Sequence, residues 1–413
     1  MDDRATHVLF LTYHLPLDHE PGAFRPWMEA RLLARAGFRV TVVTSGVQYM
    51  TGEDIRPGPG WCTEEWRDGI RILRTWGPGR HRRSMKRRIW NYLTYSLLAG
   101  LASLCRVSRI DRVFAGTDPI FLMPVVFLVS CLKGAGLVLD ERDLYPETAI
   151  ALGVMREGLL YRLLFRMQQS FRKKAIGILA ATPGIREKLR QYGFGEKVGL
   201  LYNADVFLDY GPGISTPAAS LKQQTRKKFL VGYAGGLGKA NDIWTLLRAD
   251  NHLGDLFDLG IIIIGDGENL AVYKEYCQKH KLENVYFLGS RPRSIARKLL
   301  KEMDICIQSL PHHPHFSNTL TSKIFDYQGL GKATIFCGRG DTVRLLEASG
   351  GGLTVPPGDD AALAEAIRGL LANAKLRQKM GAAGRRWFQQ HIGAEAACSI
   401  MKKVLGADED SRG

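Results

Sequence analysis

The sequence lacks several things a chain of its length could carry. No two of its seven cysteines, Cys62, Cys105, Cys131, Cys277, Cys306, Cys337 and Cys398, form a C-x-x-C pair, and the number is odd. Several of them sit in apolar runs, and the pattern predicts reduced, buried thiols in a cytosolic compartment. No apolar run reaches the ~18 residues a bilayer span needs. Leu93–Leu104 and Ile120–Leu132 come closest, and both stop short. The start, Met-Asp-Asp-Arg, runs at once into the strand-like Val8–Leu11, so no signal peptide is expected. Between Ile70 and Ile110 there are ten basic residues and no acid.

What is present is an ordinary globular composition with a basic bias. Hydrophobic residues make up 45% and charged residues 24% of 413 residues, enough for two cores. Lys and Arg number 57 against 41 Asp and Glu, a net +16, and residues 1–200 hold 30 basic against 19 acidic residues. Anionic partners are favoured: sugar nucleotides, phospholipid headgroups, lipid diphosphates or nucleic acid. No nucleic-acid module pattern is present, so no nucleic-acid partner is expected.

Apolar runs and helical periodicities alternate along the chain. Strands are expected at His7–Thr12, Phe38–Thr44, Ile70–Arg74, Arg112–Ala115, Gly136–Asp140, Gly177–Ala181 and Val198–Leu201, and helices at Phe24–Ala36, Ser84–Cys105, Leu159–Ala175 and Pro183–Tyr192. Tyr210–Ser220 is rich in Gly, Pro, Ser and Thr, and Lys222–Lys228 is polar, which reads as a linker. Strands follow at Phe229–Ala234, Gly260–Ile264, Val285–Leu288, Ile305–Gln308 and Ala333–Phe336, with helical segments between. This is α/β, a doubly wound sheet in each half.

Several turns could carry chemistry. Gly235-Gly236-Leu237-Gly238-Lys239 follows a strand, and its glycines would let a diphosphate approach the backbone while Lys239 neutralises it; a tight turn with a solvated lysine is the alternative. Gly265-Asp266-Gly267 follows four isoleucines and enters a helix, as a nucleotide-binding turn or a plain strand–helix turn does. Gly289 ends a strand where a base could pack, and Arg293 could reach a phosphate or cap the next helix. Thr321–Lys332 is the most informative stretch: a polar loop enters a helix carrying Ser322, Lys323 and Asp326, whose carboxylate could accept bonds from ribose hydroxyls. His312, His313 and His315 lie in a proline-interrupted loop without an acidic or cysteine ligand nearby, so neither a metal site nor a cofactor is expected. Arg80, Arg82, Arg83, Lys86, Arg87 and Arg88 precede an apolar helix with Trp90, Tyr92, Leu93, Tyr95, Leu97 and Leu98. This region, Arg80–Leu104, suits an anionic membrane surface, or an ordinary helix with a buried face.

These motifs, in this order, resemble the family 4 retaining glycosyltransferases, of GT-B fold. The sequence looks most like the O-antigen and capsule transferases similar to N-acetyl-L-fucosamine transferase. Phe10-Leu11-Thr12 with Pro21-Gly22-Ala23 and Arg25 resembles the first strand and glycine loop. Arg142-Asp143-Leu144-Tyr145-Pro146-Glu147-Thr148-Ala149 with Ala151-Leu152-Gly153-Val154 resembles that subgroup's signature. Tyr233-Ala234-Gly235, Gly265-Asp266-Gly267, Phe287-Leu288-Gly289, Ser322–Tyr327 and Val355–Asp359 fall at donor-domain spacing.

The resemblance implies two Rossmann-like domains facing a cleft: an acceptor-side domain at 1–208, a linker at 209–228, a nucleotide-sugar domain at 229–390, and a C-terminal helix in 391–413 crossing back to the first domain. It implies that Gly235, Gly236, Lys239, Gly265, Gly267, Gly289, Arg293, Ser322, Lys323 and Asp326 bind the donor, with Asp326 on the ribose. Arg142, Asp143 and Asn318 would be catalytic, and Gly22 and Arg25 would border the cleft. Two glutamates common in the family fall here at Asn318 and Asp326, two phosphate-binding cations at Gly236 and Asn241, and a cleft histidine at Arg142. The activity implied is transfer of a sugar, with retention, from a nucleotide sugar, UDP favoured, to a lipid-linked or oligosaccharide acceptor in lipopolysaccharide, capsule or other surface polysaccharide biosynthesis. The place implied is cytoplasmic, peripheral on the inner face of the plasma membrane. A nucleotide-sugar epimerase of the same fold, or a non-catalytic partner subunit, are the alternatives.

Overall fold

The computed structural model describes residues 5–16, 24–48, 51–79, 84–151, 153, 155–207, 220–313 and 320–406. The chain divides into two compact units, Met1–Tyr202 with Ala394–Gly413, and Asn203–Gly393.

In the first unit, β1 (His7–Leu11), α1 (Arg25–Arg35) and β2 (Arg39–Ser45) form the opening βαβ, followed by β3 (Cys62–Arg67) and β4 (Ile70–Thr75). Then come α2 (Met85–Arg106), β5 (Arg112–Gly116), α3 (Met123–Lys133), β6 (Gly136–Glu141), α4 (Glu147–Ala151) and α5 (Leu159–Lys174). β7 (Gly177–Ala180), α6 (Pro183–Gln191) and β8 (Val198–Leu200) complete it. The sheet order is β3-β4-β2-β1-β5-β6-β7-β8. It is parallel except for β3, which pairs antiparallel with β4. β3 is absent from the sequence reading because Cys62-Thr63-Glu64-Glu65-Trp66-Arg67 is mostly polar and only Cys62 is buried, as an edge strand allows. β1 is buried at every residue, as a central parallel strand covered on both faces must be.

In the second unit, α7 (Leu221–Thr225) precedes β9 (Phe229–Ala234), α8 (Ile243–Asn251), β10 (Leu259–Ile264), α9 (Leu270–Lys279), β11 (Val285–Gly289) and α10 (Arg293–Lys301). β12 (Ile305–Ser309), α11 (Ser322–Gly329), β13 (Ala333–Cys337), α12 (Asp341–Ser349), β14 (Gly352–Val355), α13 (Asp360–Ala372) and α14 (Ala374–His391) follow. The all-parallel order is β11-β10-β9-β12-β13-β14. Ile261–Ile264 are almost fully buried, and each isoleucine so placed contributes about 1.5–3 kcal/mol. Part of the stretch read as linker is helical: Ser220 and Gln223 form a reciprocal cap on α7, and the Leu221 amide donates to Glu302 at 2.6 Å.

The last helix, α15 (Ala394–Val404), belongs to the first unit. It packs beside α1 and across β7 and β8. Gly177 is what admits it: a Cβ there would lie 2.1 Å from the Val404 carbonyl oxygen. The Arg112 guanidinium donates to the Leu405 carbonyl at 2.9 Å, tying the helix end to β5.

Four of the cysteines, Cys62, Cys277, Cys306 and Cys337, are buried thiols, whereas Cys105 and Cys131 are exposed. Among the described residues no helix is long and apolar enough to cross a membrane.

Candidate functional site

An open parallel sheet binds ligands outside its carboxyl ends where the strand order reverses. In the second unit that point lies between β9 and β12, the strands from which the connections run in opposite directions. The predicted glycine turns converge there. The Gly235 amide donates to the Ile264 carbonyl at 2.8 Å, and the Gly265 amide to the Gly289 carbonyl at 2.9 Å, so the ends of β9, β10 and β11 are stitched together. A Cβ on Gly265 would sit 1.9 Å from the Gly235 carbonyl oxygen, and one on Gly267 would meet the Leu237 backbone at 2.7 Å. Gly265 and Gly267 thus serve close backbone packing in the second unit, whereas a Cβ on Gly236 or Gly289 would meet open space.

Lys323 is the cation of this site. Its chain lies against Gly235, where a Cβ would meet Lys323 Cε at 2.0 Å. Its Nζ donates to Asn241 Oδ1 at 3.0 Å and lies 5.6 Å from the Tyr233 ring centroid. Loss of hydration lowers the ammonium to about 8, against the opposing pull of Asp326. It projects from the first turn of α11, whose N-cap residue Thr321 makes no side-chain cap and has a buried Oγ1 without a partner among the described residues. Ser322 opens the same turn. A cation beside uncapped amides at a switch point can stabilise a diphosphate. Lys239 is exposed at the turn after β9, its amide 3.4 Å from Glu268 Oε1. Asn241 also donates to the Gly236 carbonyl and accepts from Gln308.

Asp326 is buried and occupied. Arg293 Nη2 reaches both its oxygens at 3.2 Å, and Arg297 Nη2 reaches Oδ1 at 3.0 Å and Asp205 at 3.1 Å. Arg293, expected either to reach a phosphate or to cap the next helix, opens α10 and pairs with Asp326. Arg297 was missed by the sequence reading, although its i,i+4 spacing from Arg293 puts both on one face of α10.

In the first unit two of the sequence-predicted residues, Arg25 and Arg142, meet on the same two carboxylates. Arg25 is not a surface group: it is buried, 2.7 Å from both Glu29 and Asp140, and donates to the Leu201 carbonyl at 3.0 Å. Arg142 closes the quartet, bonded to Asp140 and, at 3.0 Å, to Glu29. Burial and the neighbouring Asp140 push the Glu29 carboxyl up; burial also acts on Asp140, but the two arginines outweigh it and hold that carboxyl low. The next residue of β6, Glu141, faces the opposite side of the sheet, as strand alternation requires. There it pairs with Arg172 of α5 at 2.8 Å, both fully buried. The end of β6 is thus held by arginines on both faces, and it presents Arg142 half-buried and Asp143 exposed. Glu29 and Asp140 were not predicted; the i,i+4 pair Arg25–Glu29 was the available signal.

Tyr95, read as part of the apolar outer face of α2, is fully buried and donates to the Val43 carbonyl at 2.9 Å. Gly22, Asn318, Arg80, Arg82, Arg83 and His315 lie outside the described residues. Among the described residues no group of three or more His, Cys, Asp or Glu is gathered as for a metal ion.

Comparison with known proteins adds the family signal. Residues 25–204 match the glycosyl transferase 4-like domain, and residues 219–387 match the glycosyl transferases group 1 domain. A protein described as probable glycosyltransferase WbjE, from Pseudomonas aeruginosa, is 23% identical over 281 residues, covering 63% of this chain and 66% of that protein. A sucrose-phosphate synthase from Thermosynechococcus elongatus superposes with a TM-score of 0.70 at 15% identity, over 98% of this chain and all of that one. HepE from Anabaena, solved with UDP-glucose, gives 0.64 at 16% identity, over 98% and 99% of the two chains. These structural likenesses show the GT-B fold.

Proposed function

We propose that this chain, which carries the paired 4-like and group 1 domains of the GT-B glycosyltransferases, moves a sugar from a nucleotide donor to an acceptor presented at a membrane. The observation that carries the reading is Lys323: a desolvated ammonium against the Gly235 backbone, at the switch point of the second sheet and the start of α11, where Thr321 makes no side-chain cap. The leaving diphosphate gathers charge as the glycosidic bond breaks, and Lys323 with the α11 amides would stabilise it. Gly289, Gly265 and Gly267 would border the nucleoside. The Arg293–Asp326–Arg297 cluster would shape the ribose end, with Asp326 exchanging part of its ion pairing for ribose hydroxyls. A uridine donor, as in the HepE complex, retention, and a lipid-linked saccharide acceptor in surface polysaccharide assembly follow from the family 4 resemblance. Front-side attack would let the leaving phosphate take the acceptor proton, and no protein nucleophile is then required.

A thermal-shift comparison of UDP, GDP and their sugar conjugates tests the donor half. A ligand that binds only the folded state raises the melting temperature by mass action. A uridine nucleotide is expected to do so, and Asp326→Ala is expected to abolish the shift. Silence from every nucleotide on a folded sample would instead favour a non-catalytic partner, and product formed without acceptor would favour an epimerase.

The membrane half rests on α2 and α3. Ile89, Leu93, Leu97 and Leu101 recur every four residues on the exposed side of α2, with Trp90 60% exposed. Phe121, Leu128 and Leu132 are exposed around and along α3, which packs beside α2 with Val125 over Gly100. Neither helix contains an acid, and Lys86, Arg87 and Arg88 stand at the start of α2. An apolar face edged by cations suits an anionic bilayer surface. The chain is expected to float with phosphatidylglycerol vesicles and not with phosphatidylcholine. Leu97→Asp with Leu101→Asp should weaken that binding on the order of tenfold or more, from the apolar burial forgone. Unchanged flotation would remove the membrane from the proposal.

A further inference from the structure

The first sheet has its own switch point, between β1 and β5. Tyr13 and His14 follow β1, Asp118 follows β5, Arg142, Asp143 and Tyr145 follow β6, and the first turns of α2 bring Arg88 and Tyr92 alongside. Arg88 donates to the Tyr92 hydroxyl at 2.7 Å, and Tyr92 stands edge-on to Tyr13 at 4.7 Å. Asp118 lies within electrostatic range of Arg88, Arg142 and Tyr145.

One carboxylate here differs from its neighbours. Glu29, Asp140 and Glu141 are each committed to an arginine. Asp118 is exposed and makes no hydrogen bond or ion pair with a described residue. Crowding at the strand ends nonetheless removes enough water to raise its carboxyl above the ordinary range, against the pull of Arg142 and Arg88. An acceptor group with no hydrogen-bond partner among the described residues, at the point where an α/β sheet binds ligands, is suited to a hydroxyl-bearing ligand.

We propose that Asp118 anchors the acceptor sugar: its carboxylate accepts hydrogen bonds from hydroxyls of a pyranoside that lies along Tyr145 and Tyr92, with Arg88 donating to an acceptor oxygen. The inference rests on the glycosyltransferase reading and adds to it the residue that selects the acceptor. A phosphate is the poorer occupant, because Asp118 and the exposed Asp143 would both repel it. A neutral polyhydroxylated ring takes up both carboxylates without that cost. The outer face of α2 runs on from the same turn, so a lipid carried by that sugar would lie on the apolar surface already described.

Saturation-transfer NMR with methyl β-glucopyranoside, methyl β-galactopyranoside and methyl N-acetyl-β-glucosaminide, each beside UDP, tests this. Ring protons of at least one glycoside are expected to be saturated by the wild type. Asp118→Asn should weaken that binding by about tenfold to a hundredfold, the scale of a hydrogen bond to a charged group, while the UDP signal stays unchanged. Tyr145→Leu should weaken it independently, and circular dichroism melts report that the variants fold. No glycoside saturated by the wild type, or saturation that survives in Asp118→Ala, overturns the proposal. A missing UDP signal in the wild type counts against the donor site on the other unit, and the glycoside result is then read by itself.

Discussion

Replacing Lys323 with methionine is expected to lower turnover by about 10²–10³-fold, the cost of removing one preorganised group from a developing negative charge. Methionine keeps most of the chain's bulk against Gly235 and removes only the charge and its bond to Asn241. The melting temperature should therefore change little, while UDP affinity and turnover fall together. The free ammonium titrates near 8, its hydration stripped by the surrounding backbone. Below that pH the cation is formed and a diphosphate finds it charged; above it the protein must take up a proton to bind. UDP affinity should thus decline as pH rises through about 8 in the wild type and lose that dependence in Lys323→Met. Titration calorimetry from pH 6.5 to 9.5 would check both. Equal affinity of the two proteins across that range would leave Lys323 a packing residue and move the diphosphate elsewhere.

The second large effect is on stability. Arg172→Met should destabilise the first unit by about 3–5 kcal/mol, the cost of leaving a buried charge without its partner. Glu141 would be that charge, fully buried and 2.8 Å from Arg172 in the wild type. A whole domain is stable by only about 5–15 kcal/mol, so the variant should unfold far earlier in urea. Burial already raises the Glu141 carboxyl even with Arg172 in place. A carboxyl raised in the folded state binds its proton more readily there than in the unfolded chain. The deficit of Arg172→Met should therefore be largest near neutral pH and shrink as pH falls toward the usual carboxylate range, where Glu141 becomes neutral. Adding Glu141→Gln should recover part of the loss. A deficit that does not depend on pH would assign the cost to lost packing instead of to charge.

Much of the architecture was legible in the sequence. A parallel strand buried on both faces has to be a continuous apolar run, and HVLFL, LGIIII and ICIQS are such runs at recurring intervals. The glycine turns were legible because Gly265 can lie against the Gly235 carbonyl, and Gly267 against the Leu237 backbone, only without a side chain. Lys323 was legible as part of a loop entering a helix. β3 was not, because an exposed edge strand buries too little to leave an apolar signature.

Which charges are ligands and which are structure was decided only by tertiary packing. Arg25, Arg142, Arg172 and Arg293 have the same side chain, and nothing local separates them. Arg25 and Arg172 are buried on partners that stand 115 and 31 residues away in the chain. Asp326 is likewise held by Arg293 and Arg297 of another helix, while Asp118 has no hydrogen-bond or ion-pair partner among the described residues, although Arg142 and Arg88 act on it through space. Hydrophobic periodicity determines where strands and helices form, since it is a property of neighbours in sequence. The charge state and availability of a side chain depend on who surrounds it after folding, because desolvation and ion pairing act through space and not along the chain.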